Sequence, residues 1–172
     1  MALEKGHIAF RSNAIIVEFL SRASDYEKLS VEIRCRASEW QLSTLEQVCS
    51  SSLPPVSTLQ VLYISESRDW PHGQDDVENT LWLDPLRPFV AVKDLYLSEE
   101  YLSRVAPALQ ELVGGRTTEV LPNLEDIFLE GLQTLQTSGP LQNRQKGIEK
   151  FVAARQLANL PVTVSRWNRY SK

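Results

Sequence analysis

Three aromatic residues, Tyr63, Tyr96 and Phe128, hold the same place in three copies of one apolar phrase: LQVLYI at 59–64, VKDLYL at 92–97 and LEDIFL at 124–129. Successive side chains of a strand point to opposite faces, so the leucine-type positions of this L-x-x-L-x-L pattern face one way and the rings face the other. Strands that run parallel and in register would stack the rings about 4.8 Å apart. Such a ladder transfers no protons; its chemistry is recognition, because rigid aromatics rimmed by charge are what protein-binding hot spots use. Lys93, Asp94, Glu125, Asp126 and Glu32 supply charge at flanking positions. If Val31, Ile33 and Cys35 face inward, Arg34 falls beside Tyr63, with Thr163 or Ser165 closing the far end. The candidate partner-binding set is Arg34, Tyr63, Tyr96, Phe128, Lys93, Asp94 and Asp126. A purely structural role is the alternative, since cross-strand aromatic pairs stabilise a sheet by roughly 0.2–1 kcal/mol each.

Other reactive groups are sparse. The two histidines, His7 and His72, stand in no nucleophile context, and the chain has no GxSxG, P-loop or HExxH motif. The stretch ESRDWPHGQDDVENTLW at 66–82 gathers Asp69, Asp75, Asp76 and Glu78 around Trp70 and His72. It could contact a partner or hold a divalent cation weakly through oxygen ligands. It lacks the alternating acids about a central glycine of a calcium loop. The simpler expectation is a short helix capped by Asp75 or Asp76, with Glu78 in its first turn and Val77, Leu81 and Trp82 as anchors. No catalytic residue, cofactor or metal is expected, and the chain is not read as an enzyme.

The elements that would position the ladder follow from periodicity. The phrases begin 33 and then 32 residues apart (92 − 59 and 124 − 92), slightly longer than the usual leucine-rich repeat of about 20–29 residues. Between them lie helical return segments. Ser38 and Gln41 form a capping box before Leu42, Leu45 and Val48. Ser98, with Glu99 and Glu100, opens a helix striped by Tyr101, Leu102, Val105, Leu109 and Leu112, with a kink or break at Pro107 and a stop at Gly114-Gly115. Pro140 starts a last helix carrying Leu141, Ile148, Phe151, Val152 and Arg155 on one side, closed by Asn159. PVTVS at 161–165 is a final strand with Val162 and Val164 inward. Upstream, HIAF at 7–10, AIIVEF at 14–19 and LSVEIRC at 29–35 are strands, the last two joined by a loop or hairpin.

The predicted fold class is therefore α/β: a short, irregular leucine-rich-repeat-like solenoid with a mainly parallel sheet on the concave face and helices outside. It forms a single domain over 1–172, with N-terminal strands or a hairpin (1–36), repeats (37–165) and a solvated tail (166–172). The chain begins almost directly in a candidate strand, so an exposed N-terminal edge is expected; the chain would pair through it or belong to a longer protein.

Composition narrows the function classes. The 172 residues carry a formal net charge of −4, which argues against a nucleic-acid binder held by phosphate contacts. The basic, aromatic RWNRYSK at 166–172 has no second basic stretch to support it. No apolar run approaches the roughly 18 residues of a membrane span, and MALEKGHIAF is no secretory signal. Cys35 and Cys49 lack metal-site spacing; two reduced thiols in an intracellular protein are expected, although a single bridge is compatible with the sequence.

The runs SEWQLSTLEQVCSSSLPPVSTLQVLYI, VENTLWLDPLRPFVAVKDLYLSEEYLSRVAPALQELVGGRTTEVLPNLEDIFLEGLQ and SGPLQNRQKGIEKFVAARQLANLPVTVSRW resemble the C-terminal region of fungal F-box and leucine-rich-repeat-like proteins of mushroom-forming basidiomycetes. The resemblance covers the chain from about residue 30 onward. It implies a repeat region that holds a protein to be modified by a ubiquitin ligase, and no catalytic motif. No F-box-like segment precedes residue 14, so the resemblance implies a recognition half without its ligase-docking half. Two functions follow: a non-catalytic module binding a protein or peptide, or a self-assembling fragment that forms a homodimer or larger oligomer through its N-terminal edge.

Overall fold

The structure, a computed structural model, describes residues 3–21, 28–37, 40–51, 56–66, 79–131 and 140–168. Its strands are β1 (Leu3–Arg11), β2 (Ala14–Ser21), β3 (Lys28–Arg34), β4 (Val61–Glu66), β5 (Asp94–Leu97), β6 (Asp126–Glu130) and β7 (Thr163–Trp167). Its α-helices are α1 (Gln41–Ser51), α2 (Glu99–Gln110) and α3 (Pro140–Leu157). The fold is mixed α/β, with one seven-stranded open sheet in the order β3-β2-β1-β4-β5-β6-β7. Strands β1, β4, β5, β6 and β7 run parallel to one another, while β2 and β3 add antiparallel on the outer side of β1.

The strands of the three phrases, β4, β5 and β6, lie side by side and parallel. Leu59, Leu62, Ile64, Val92, Leu95, Leu97, Leu124, Ile127 and Leu129 are all buried. They form one hydrophobic core with Ile8, Phe10 and Val17 of the N-terminal strands and with buried side chains of all three α-helices. Burying aliphatic side chains of this size stabilises a fold by about 1.5–3 kcal/mol each. Rung spacing is fixed by a repeated backbone step. The carbonyl of Gln60 accepts from the N–H groups of Lys93 and Asp94, and the carbonyl of Lys93 accepts from those of Glu125 and Asp126.

The N-terminal edge differs from the sequence expectation. Strand β1 is interior, held by β2 on one side and β4 on the other, and the exposed edge on that side is β3. A strand buried between two neighbours and a terminal one can share the same alternation, so pattern alone did not order them. Edge β3 carries Lys28, Glu32 and Arg34, charges of the kind that discourage edge-to-edge pairing. At the other edge, β7 extends through Arg166 and Trp167, which the sequence assigned to a tail. Val162 is buried as expected, but Val164 is exposed on this edge strand.

The helices follow their sequence signals with local departures. Helix α1 buries Leu42, Leu45 and Cys49, and Val48 is half-buried. Ser38 lies outside the described residues, while the Gln41 amide donates to the carbonyl of Arg11 at 2.6 Å and so ties α1 to the β1–β2 hairpin. Helix α2 runs unbroken through Pro107 and ends at Gln110, before Gly114. Proline there forfeits one backbone bond near the helix end, where loss of a single bond does not break the element. Ser98 is the N-cap, but its hydroxyl makes no capping bond.

Helix α3 ends in a Schellman motif. Asn159 adopts φ +60, its N–H bonds the carbonyl of Gln156, and the N–H of Leu160 bonds that of Arg155. Arg155, on the apolar side of α3, is 1% exposed. Its guanidinium donates to the carbonyls of Thr117, Leu121, Pro122 and Leu124 at 3.0–3.3 Å, so the charge organises the loop that leads into β6. Helices α2 and α3 meet at Gly147, where a Cβ would stand 2.8 Å from the carbonyl oxygen of Ala106. Among the described residues, no helix is long and apolar enough to cross a membrane.

Candidate functional site

Alternation leaves the second face of the sheet outside the core. One in-register row crosses it from Ser30 through Glu18, His7, Tyr63, Tyr96 and Phe128 to Ser165. The rings of Tyr63 and Tyr96 stack with centroids 4.4 Å apart and planes at 21°; those of Tyr96 and Phe128 stack at 4.3 Å and 9°. All three are half-buried, whereas the alternate positions Leu62, Leu95 and Ile127 are fully covered. The ladder therefore lies on the face opposite the core. Trp167 of β7 packs over it, edge-on to Tyr96 at 5.4 Å and tilted against Tyr63 at 5.8 Å.

The neighbouring row is charged. Asp94 lies directly opposite Asp126, and Asp126 opposite Thr163, whose hydroxyl donates to the Asp126 carboxylate. Partial burial, then the charges of Asp126 and Glu125, push the Asp94 carboxyl above its ordinary value despite nearby Lys93. Lys93 itself pairs with Glu125 at 2.8 Å. Burial raises the Tyr96 phenol to about 12, with the neighbouring Tyr63 and Asp94 acting in the same direction. Tyr63 is raised too, by burial first, against a hydrogen bond with Tyr96. Both phenols stay neutral at physiological pH and present rings rather than charge.

Six of the seven predicted residues thus gather on or beside the ladder: Tyr63, Tyr96, Phe128, Lys93, Asp94 and Asp126. Arg34 does not. It sits on edge strand β3, with β2 and β1 between it and β4, and pairs with Glu32 at 2.9 Å. The place beside Tyr63 belongs to His7, whose ring stands edge-on at 6.3 Å. Ser165, one of the two residues proposed to close the far end, is the one opposite Phe128. Trp167 went unanticipated, although its spacing from Thr163 and Ser165 puts it on the same face.

The sequence also missed a polar chain across β4, β1 and β2. His7 Nε2 lies 2.6 Å from the Ser65 hydroxyl, and its Nδ1 lies 3.6 Å from the Glu18 carboxylate, which Lys28 meets at 2.6 Å. Burial pushes the Glu18 carboxyl up, but the Lys28 hydrogen bond and charge, with His7 beside it, outweigh that and hold it below the ordinary value. The order of groups is that of a serine–histidine–carboxylate relay. Nucleophilic catalysis also requires a substrate to reach the hydroxyl, and Ser65 is 0% exposed. The contact to Ser65 spans 58 residues of sequence, so no local motif announces it; only the β1–β4 register does.

The acidic stretch falls largely outside the described residues, including Asp69, His72, Asp75, Asp76, Val77 and Glu78. Its end forms a 3-10 turn at Asn79–Trp82, with Trp82 buried against Phe10 and Tyr101 and Leu81 exposed. Cys35 and Cys49 are buried and unbridged, and burial raises the Cys49 thiol to about 12. Comparison of the chain with protein-family models, with curated proteins and with solved structures finds no match.

Proposed function

We propose that the protein is a non-catalytic interaction module that recognises a protein or peptide through the open face of its sheet. The observation that carries this reading is the half-exposed stack of Tyr63, Tyr96 and Phe128, with Asp94 and Asp126 in the adjoining row. Rigid rings next to charge suit a binding hot spot. The full burial of Ser65 supports a structural role for the Ser65–His7–Glu18 chain rather than a hydrolytic one. Carboxylates on the face disfavour a phosphate backbone as ligand. The unbridged thiols support an intracellular setting.

Architecturally, β4, β5 and β6 fit rungs of a leucine-rich-repeat-like solenoid with the ladder on its concave side. The repeated Gln60 and Lys93 carbonyl step supports that description. Under it, the resemblance to fungal F-box proteins makes the chain a substrate-holding half. Self-association is the second reading, and its surface is now β3 rather than the chain's first strand. The Tyr63→Ala/Tyr96→Ala variant separates them: loss of captured partners with unchanged light-scattering mass supports recognition. Intact capture contradicts recognition through this face, and a mass changed by charge reversal at Glu32 on β3, rather than by the ring variant, supports assembly.

A further inference from the structure

We infer that Trp167 is a built-in occupant of the binding face: its indole holds the place on the Tyr63–Tyr96 stack that an aromatic side chain of the partner takes when it binds. The inference rests on the recognition reading above and names both the group recognised and the contact that must yield. Trp167 pairs in register with Glu130 of β6. Its ring nevertheless meets Tyr96 of β5 at 5.4 Å and Tyr63 of β4 at 5.8 Å. The indole thus lies across the ladder, with β6 and, for Tyr63, β5 as well between its own strand and the rings it touches. Both faces of Tyr96 are taken by the stacked rings of Tyr63 and Phe128. The near-perpendicular contact to Trp167, with planes at 77°, therefore sets the edge of Tyr96 against the face of the indole. Edge-to-face packing needs a π face on the incoming group, so the stack selects an aromatic ring over an aliphatic side chain.

Trp167 is also placed to leave. It is the last residue of β7, an edge strand with a neighbour on one side only and exposed from Thr163 to Arg166. The ends of such strands open locally at low cost. Neither Trp167 nor the three ladder rings belong to the hydrophobic core, so withdrawing the indole uncovers the edges of Tyr63 and Tyr96 without unpacking the fold. The exchange leaves the Tyr63–Tyr96–Phe128 stack intact. While the contact is closed it lowers the partner's apparent affinity in proportion to the fraction of open molecules, which makes Trp167 an autoinhibitory contact.

Titration with N-acetyltryptophanamide, followed through ring proton resonances, tests this in Trp167→Ala and in the unaltered protein. Trp167→Ala should give saturable shifts of the Tyr63 and Tyr96 ring signals. Its affinity should be on the order of tenfold above that of the unaltered protein, whose own indole competes. N-acetylleucinamide should give no such shifts. In the unaltered protein, the tryptophan amide at saturation should remove the cross-peaks from Trp167 to both tyrosines and keep the one between Tyr96 and Phe128, a readout that needs no variant. Equal affinity in the two proteins, or equal binding of the leucine amide, overturns the inference. So does a lack of saturable shifts in a Trp167→Ala protein that keeps the Tyr96–Phe128 cross-peak. Trp167 cross-peaks that persist at saturation in the unaltered protein overturn it as well. Each of these failures leaves recognition through the ladder standing where Tyr63→Ala/Tyr96→Ala still loses captured partners.

Discussion

The ring of Tyr96 lies 4.3 Å from that of Phe128, with planes 9° apart, although the two residues sit on different strands. Tyr63 makes the equivalent contact on the other side of Tyr96. The middle ring is thus sandwiched between two neighbours, with Trp167 against its edge. Each cross-strand pair contributes roughly 0.2–1 kcal/mol. Tyr96→Leu removes both stacks and should lower stability by roughly 0.4–2 kcal/mol, read from urea denaturation. Phe128→Leu, which removes one, should cost less.

Arg155 should be far less replaceable than any ring. Its desolvated charge lies over the Phe151 ring and donates through its two terminal nitrogens to four main-chain carbonyls, each of which loses a donor in Arg155→Met. Unsatisfied buried acceptors cost about 1–3 kcal/mol each, tempered by relaxation of the loop. A loss of roughly 3 kcal/mol or more is expected in chemical denaturation. Arg155→Lys should not restore it, because one ammonium cannot reach across the arc that the guanidinium fork spans.

Gly147 tests the packing of α2 on α3. In an exposed helix, alanine would stabilise relative to glycine by about 1 kcal/mol. Here the added methyl meets the Ala106 carbonyl at 2.8 Å, and separating the helices should cost about 1–3 kcal/mol. Gly147→Ala is therefore expected to lower the melting temperature.

Two carboxylates should respond oppositely to pH. Glu18 has its carboxyl held below the ordinary 4.5, so its contribution is present above that value and is lost as pH falls through the folded-state value. Glu18→Gln should flatten the acid limb of the stability curve. Asp94 is raised above its ordinary 3.8. Its contribution is complete below 3.8 and lost as pH rises through the folded-state value. Asp94→Asn should therefore raise the melting temperature at neutral pH, with the gain vanishing towards pH 3.8.

Strands β4, β5 and β6 were legible because each carries two independent signals. Leu62 and Ile64 are buried on one face while Tyr63 is not, and the same split recurs around Tyr96 and Phe128. Strand order at the N-terminus was not legible. Ile8 and Phe10 of β1 and Val31 and Ile33 of β3 carry the same two-residue apolar spacing, so placing β3 beside β4 put Arg34 where His7 stands. Trp167 was lost to a judgement from composition: basic neighbours suggested a tail, whereas its spacing from Ser165 continued the strand. The His7–Ser65 contact depends on strands 58 residues apart, and the four carbonyls around Arg155 belong to an irregular loop. Neither leaves a local pattern.

Ring-to-ring nuclear Overhauser effects in solution test the ladder most directly. Cross-peaks are expected from Tyr63 to Tyr96, from Tyr96 to Phe128, and from Trp167 to both tyrosines. Absence of the Tyr96–Phe128 peak, or cross-peaks from these rings to the buried methyls of Leu102 and Val105 in α2, would mean that the three phrases do not share one open face, and no recognition surface of this kind would exist.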